Sequence, residues 1–436
     1  MNHPIRPAAA AGTATRDRRS WIAASLRGAL LAAAAGAAVL AGCGGGGNVA
    51  GVDSGGTGSF AVGPISGFSS VIVNRIRYDD TGAAVYDGDG AARSRADLRL
   101  GMVVEIEGSA LAPAPAGAAF ARQGTAGVIR YGAGIVGPLQ AVSAGTSEIV
   151  VLGQAVDLTP TTAFGDGLAG GAAALAALPS GTLLEVHGYP HPTANAAGRY
   201  TATRIDRAQA GGPFRLHGTV RDHDGSARRF RIGAALIDYA ALGADAARDA
   251  GIADGATIRV RLGTTPDRDG AWSMQRAGGP ARSLADRDDV DVEGLVTAFT
   301  DPTRFSVDGI PVDATRAEFD DGARGRIALG ARVEVEGRLR GGVLVATEVE
   351  LRDDGTPGSS GAPASAPRRI ELEGTVESID PATQTFRLRG VVVSYAGAVF
   401  DDGDVRNLRV GVRVEVEGWL SADGTTLDAR EIEFDD

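Results

Sequence analysis

The chain has 436 residues, 44% hydrophobic and with 64 glycines, which is too apolar for a disordered chain and long enough for several domains. A formal charge of −11, with all 43 basic residues arginine, excludes the electrostatic footprint of a nucleic-acid binder. Five histidines and three methionines leave few soft metal ligands, and a single cysteine excludes an internal disulfide.

The N-terminus reads as an address. Arg16, Arg18, Arg19 and Arg27 precede an apolar run from Ala29 to Leu40, too short to span a bilayer as a helix and of the right length for a signal-peptide core. The run ends in Leu40-Ala41-Gly42-Cys43. This resembles the bacterial lipobox, in which small residues fit the peptidase and the cysteine thiol takes the lipid, so Cys43 is the expected lipidation site. Multiple acyl chains give stable anchoring where one does not. Arg18-Arg19-Ser20-Trp21-Ile22 resembles a twin-arginine export signal, although basic residues open ordinary signal peptides too. Gly44 follows the cysteine, which by resemblance to lipoprotein sorting rules implies the outer membrane, facing the periplasm or the surface. Residues 43–58, rich in Gly, Ser and Asp, read as a flexible tether.

Beyond the tether one phrase recurs. Gly330-Ala-Arg-Val-Glu-Val-Glu-Gly337 returns about 80 residues later as Gly411-Val-Arg-Val-Glu-Val-Glu-Gly418. Looser copies span Gly101 to Gly108 and Gly181 to Gly188, and Gly255-Ala-Thr-Ile-Arg-Val-Arg-Leu262 keeps the alternation while its glycine slips by one position. A spacing this long suits a small domain that buries its own core. Alternation places Val333 and Val335 on one face and Glu334 and Glu336 on the other, a strand with one dry side.

Each unit is expected to open with a Gly-x-Val or Gly-x-Ile strand, at Gly63, Gly134, Gly218, Gly294 and Gly374. Turns such as Asp301-Pro302-Thr303 and Asp380-Pro381-Ala382-Thr383 separate the first strand from a second, and a third strand runs to a stop at Phe164, Phe319 or Phe400. Ala-rich connections, briefly helical at Leu168 to Leu178 and Ala240 to Ala250, lead to the repeated phrase. A closing strand with Ala-x-x-Ile/Val follows, as at Ala346 to Val349. Five strands with any helix between the third and fourth is the order of an OB-like barrel, whose closure hides its edges. The predicted fold is therefore all-β, with tandem small five-stranded OB-like β-barrel repeats after a signal peptide and flexible tether. The expected limits are 1–42 signal peptide, 43–58 tether, barrels at 59–131, 132–210, 211–280 (degenerate) and 288–352, a linker at 353–368, and a last barrel at 369–436.

The Gly-x-Val opening, the Leu-x-x-Gly-x-x-Val-Glu-Val-Glu-Gly core and the Ala-x-x-Ile ending resemble the repeats of the domain of unknown function 5666 family, found in bacterial lipoproteins. That resemblance is close in the last two units, fair in the first two and poor in the third. It implies location and fold and brings no catalytic residues.

The candidate sites weigh against an enzyme. Glu334, Glu336, Glu415 and Glu417 are expected to form a solvated strand face rather than a cation site, because carboxylates about 6.6 Å apart on one strand need further ligands from elsewhere. The Asp-Gly runs at Asp87, Asp222, Asp267, Asp320 and Asp401 lack EF-hand spacing and suit tight turns. His187 and His191 lie among Gly188, Pro190 and Pro192, which exclude a helix, so loop histidines are expected. Phe319 and Phe400 end apolar strands as core plugs, while Trp419 is a candidate ligand contact. No Ser-His-Asp constellation, phosphate loop or Cys-x-x-Cys pair marks the sequence. The expectation is a lipid-anchored envelope protein without catalytic residues, metal or cofactor, an array of binding or spacer modules. Its expected partners are the membrane through its lipid anchor and an envelope protein or oligosaccharide, with no nucleic acid. The alternatives are an OB-like binder of an oligosaccharide or peptide on one barrel face and, third, an enzyme with a spatially assembled site.

Overall fold

The computed structural model describes residues 58–434 apart from short interior stretches, the longest being 192–197, 279–284 and 353–367. The expected signal peptide, the expected lipobox Leu40-Ala41-Gly42-Cys43 and nearly all of the expected tether lie outside the described residues. Among the described residues no helix is long and apolar enough to cross a membrane.

Five barrels follow one another along the chain. The five strands of barrel 1 are Ser59–Phe68, Val71–Val73, Ile76–Asp79, Val103–Gly108 and Arg122–Tyr131. Those of barrel 2 are Ile135–Ser143, Glu148–Val151, Gln154–Phe164, Leu183–His191 and Arg199–Arg207. Barrel 3 uses Phe214–Asp224, Arg229–Ile232, Ala235–Asp238, Thr257–Leu262 and Trp272–Ala277. Barrel 4 uses Arg287–Asp301, Arg304–Val307, Ile310–Asp313, Arg332–Arg340 and Val343–Leu351. Barrel 5 uses Arg368–Asp380, Thr385–Leu388, Val391–Ser394, Arg413–Leu420 and Thr426–Phe434. In every barrel the first three strands form an antiparallel meander, the third runs parallel to the fifth, and the fourth pairs with both the fifth and the first. That closed order, 1-2-3-5-4-1, is the OB-like barrel expected from the strand sequence, and it leaves no open edge within a barrel. Short helical turns at Arg95–Asp97, Ala172–Ala176, Ala244–Asp249 and Ala323–Arg326 sit between third and fourth strands.

The two glycines of the repeated phrase have separate physical roles. The first has positive φ in all five barrels, from +81° at Gly101 to +90° at Gly411, a left-handed conformation that glycine adopts without steric cost. Its N–H donates to the first strand each time: Gly101 to Ile65, Gly181 to Leu139, Gly255 to Val220, Gly330 to Val296 and Gly411 to Val376, at 2.7–2.9 Å. The last glycine marks a β-bulge, a register shift between the fourth and fifth strands at Gly108, Gly188, Gly337 and Gly418. A Cβ there would run into the carbonyl oxygen of Thr125, Thr201, Val345 or Asp428. Barrel 3 bulges at Leu262 instead and buries that side chain, which explains its displaced glycine.

The register also corrects one opening. Gly63, Gly218, Gly294 and Gly374 each lie opposite the first inward apolar residue of the phrase, Val104, Ile258, Val333 and Val414. In barrel 2 the residue opposite Leu184 is Gly137, three positions after the expected Gly134. The stop phenylalanines pair in parallel with the closing strand, Phe164 with Ile205, Phe319 with Val349 and Phe400 with Ile432. Phe319 and Phe400 pack against their cores as half-buried lids.

The barrels are not strung end to end. The first strand of barrel 1 adds in parallel to the first strand of barrel 4, Ser59 beside Asp289 through Val62 beside Val292. Its far end meets barrel 5 at Phe68 and Leu372. Barrels 2 and 3 join through Val136 with Arg215 and Ile135 with Leu216. Alternation on one strand serves two cores: Ala61 and Ile65 belong to the core of barrels 1 and 5, whereas Phe60 and Val62 belong to that of barrel 4. Burying such side chains contributes about 1.5–3 kcal/mol each, so the early strand ties distant parts of the chain together.

Candidate functional site between the barrels

Where barrels 1 to 4 meet, they line an open-mouthed cavity of about 280 Å³, close to the ~300 Å³ lower end of small-molecule sites. Barrel 1 contributes Asp87, Glu105, Arg130 and Tyr131, barrel 2 Tyr189 and Tyr200, barrel 3 His217 and Arg259, and barrel 4 the tight turn Asp308-Gly309. Asp308 and Gly309 both have positive φ, as a two-residue hairpin turn requires, and this projects the turn into the shared space.

Most charged groups on this wall are already engaged. Asp87 binds Arg93 at 2.6 Å while its other oxygen accepts the N–H groups of Asp89 and Ala91, and Arg130 binds Glu107 at 2.5 Å. Burial, with Asp97 nearby, pushes the Tyr131 phenol up to about 12. Two groups differ. The Tyr200 hydroxyl is fully buried yet finds no hydrogen-bond partner among the described residues. Burial raises its pKa, with Arg259 and Asp308 the charges that act on it, so it is a neutral donor across the physiological range. Gly134 exists for this hydroxyl, since a Cβ there would coincide with it. The guanidinium of the half-buried Arg259 makes no hydrogen bond or ion pair among the described residues.

Arg259 and Arg261 stand at the positions that carry Glu105 and Glu107 in barrel 1, Glu334 and Glu336 in barrel 4, and Glu415 and Glu417 in barrel 5. The degenerate third repeat has therefore reversed the charge of its fourth strand. Arg215 lies opposite Arg261 and binds Asp89 of barrel 1, and a small recess beside the cavity is lined by Arg215, Arg259 and Arg261.

A second polar centre forms where barrels 1 and 4 join. Asp291, Glu334 and Glu336 place carboxylate oxygens within 4.8 Å of one another. The Arg122 guanidinium of barrel 1 bridges Asp291 at 3.1 Å and Glu336 at 3.0 Å, the Asn74 amide donates to Asp291 at 2.7 Å, and Arg352 binds Glu334. Burial raises the Asp291 carboxyl well above its ordinary value, reinforced by Glu334 and Glu336 and opposed by Asn74 and Arg122. Burial likewise pushes Glu334 up to about 7, against the pull of Arg352. With arginines already between its carboxylates, this cluster is a joint of the fold rather than an open cation site. The expected solvated face is thus corrected for Glu334, which is only 5% exposed. Glu415 and Glu417, on the same phrase in barrel 5, are half-exposed.

The other sequence-marked residues separate. Trp419 is 37% exposed and lines a surface groove with Val399, Arg430 and Glu431, away from the cavity. His187 and His191 lie on a strand rather than a loop; His187 Nε2 is 3.1 Å from Glu185 and His191 Nε2 is 2.7 Å from Thr201 Oγ1, so neither faces a shared metal position. The Asp-Gly runs perform turn chemistry: Asp267, like Asp87, accepts two backbone N–H groups within its own loop, and Asp224 accepts those of Ser226 and Ala227.

Fold and site together define an all-β protein of tandem OB-like barrels with a shared inter-barrel cavity. Segments 136–206, 293–350 and 373–433 match the family model described as Domain of unknown function (DUF5666), so barrels 2, 4 and 5 are repeats of that family. Barrels 1 and 3 share the topology outside the matched segments. No curated protein matches the chain.

Proposed function

We propose that this protein is a lipid-anchored component of the cell envelope whose five barrels form one non-enzymatic binding unit, with a small ligand held in the cavity between barrels 1 to 4. The observation that carries this reading is the cavity itself, built by four barrels and lined by Tyr200, whose buried hydroxyl has no partner among the described residues. Buried polar groups are normally hydrogen-bonded, so such a group argues for something that occupies the space. The pairing of barrel 1 with barrels 4 and 5 speaks against an extended spacer, in which only sequential neighbours would touch. Anchoring rests on Leu40-Ala41-Gly42-Cys43 at the end of the apolar leader, and the outer membrane on Gly44. A thermal-shift screen of the full chain against sugars, sugar acids, phosphate and short peptides tests the binding role. A ligand at a hundred times its dissociation constant adds about 2.7 kcal/mol. A shift without turnover of the ligand is expected, and product formation would contradict the non-enzymatic reading. Cys43→Ser is expected to move the protein out of the membrane fraction; retention there would refute the lipid anchor.

A second reading places an oligosaccharide on the outer face of barrel 5. The exposure of Trp419 beside Val399, Arg430 and Glu431 favours it, since an indole face stacks on sugar rings and the charged neighbours can bond hydroxyls.

A further inference from the structure

Resting on the cavity as the binding site, we infer that its ligand carries an oxyanion, a carboxylate or a phosphate, held between the Arg259 guanidinium and the Tyr200 hydroxyl. Each acid on the cavity wall is already engaged, Asp87 by Arg93 and by backbone N–H groups, and Glu105 and Asp308 by partners of their own. The unmet capacity is instead that of donors. The Arg259 guanidinium has no hydrogen bond or ion pair among the described residues, and the Tyr200 hydroxyl has none although it is fully buried. A guanidinium offers a rigid fork that matches carboxylate and phosphate oxygens in pairs, and a phenol that stays neutral adds a further donor.

Charge reversal in the repeat supports the same conclusion independently. In a chain of net charge −11 the corresponding strand positions are acidic in barrels 1, 4 and 5, yet barrel 3 presents Arg259 and Arg261 there. The Arg261 guanidinium, too, makes no hydrogen bond or ion pair among the described residues, and it lines a small recess that shares Arg259 and His217 with the cavity wall. If this strand served only the fold, the acidic pattern would suffice, as it does in barrels 4 and 5. The chamber lined by both Tyr200 and Arg259 takes the oxyanion and the remainder of the ligand, and Arg261 adds positive charge beside it.

Calorimetric titration of the full chain in detergent tests the inference with three probes: D-glucuronate as carboxylate, inorganic phosphate, and glucose as the neutral control. Binding of glucuronate or phosphate at least tenfold tighter than glucose is expected, and the two anions differ in which oxyanion fits better. Arg259→Gln should weaken the anion at least tenfold. Tyr200→Phe should weaken it severalfold without lowering Tm, which a merely structural hydroxyl would not do. Equal binding of glucose and glucuronate, lost when Val103→Trp fills the chamber, would overturn the oxyanion and leave the cavity as a binding site. Anion binding that survives both Arg259→Gln and Tyr200→Phe would overturn the inference by placing the anion elsewhere. Failure of all three probes to bind would count against the oxyanion and against the cavity reading together.

Discussion

Barrels 4 and 5 carry nearly the same eight residues, Gly330 to Gly337 and Gly411 to Gly418, and put them to different physical use. Both copies turn at a left-handed glycine, alternate valines into a core and bulge at the final glycine. In barrel 4 the acidic side of that strand is covered at the joint with barrel 1, so Glu334 is buried and Asp291 and Glu336 share Arg122. In barrel 5 the same side is open, and the pair formed by Arg413 and Glu373 lies nearer solvent. The local fold follows the phrase, whereas the chemistry of its glutamates follows the neighbour that the chain folds against it.

The comparison can be broken at the arginines. Arg122→Ala leaves Asp291 and Glu336 facing each other without a cation, and a loss of about 3 kcal/mol in unfolding stability at pH 8 is expected by chemical denaturation. Arg413→Ala in barrel 5 should cost less than about 1 kcal/mol. Equal losses would show that the two faces are equivalent after all.

Titration sharpens it. The folded-state value of Glu334 lies above its ordinary 4.5, so the group stabilises the fold fully below that pH, and this contribution is lost as pH rises towards 7. Glu334→Gln holds the position neutral, so its Tm should match the wild type near pH 4.5 and exceed it at pH 8, by about 2–3 kcal/mol in stability. A variant that is less stable than wild type at pH 8 would mean that the Arg352 pair outweighs burial. The smallest effect belongs to Glu417→Gln on the half-exposed copy, within about 0.5 kcal/mol at either pH, checked in the same melting series.

Much of the fold was legible because strand alternation and turn chemistry are local. The alternating phrase maps onto the fourth strand in all five barrels and the Ala-x-x-Ile/Val endings onto the fifth in barrels 1, 2, 4 and 5, whereas Phe319 and Phe400 lie on short extra strands, Glu318–Phe319 and Val399–Asp401, beyond the third. The Gly134 opening misled because barrel 2 has two glycines three apart, one set by the strand register and one by the bulk of the Tyr200 hydroxyl. The cavity was not legible, since its walls come from residues as distant as Asp87 and Asp308 that meet only when barrel 1 pairs with barrel 4. One signal was in view: Arg-Val-Arg at 259–261 where the other copies read Glu-Val-Glu, Glu-Ile-Glu or Glu-Val-His. A sign change at the polar positions of a repeat points to a different neighbour or ligand, even where the apolar pattern is kept.

The central claim is that barrels 1 to 4 fold back around a shared cavity with barrel 5 packed on barrel 1, and small-angle scattering of a fragment from Ser54 to Asp436 tests it most directly. A single globule spanning Ser54–Asp436 has a radius of gyration of about 21 Å, and a value near this is the predicted result. A much larger radius, with the extended profile of separate beads on linkers, would contradict the account and return the protein to a string of independent modules.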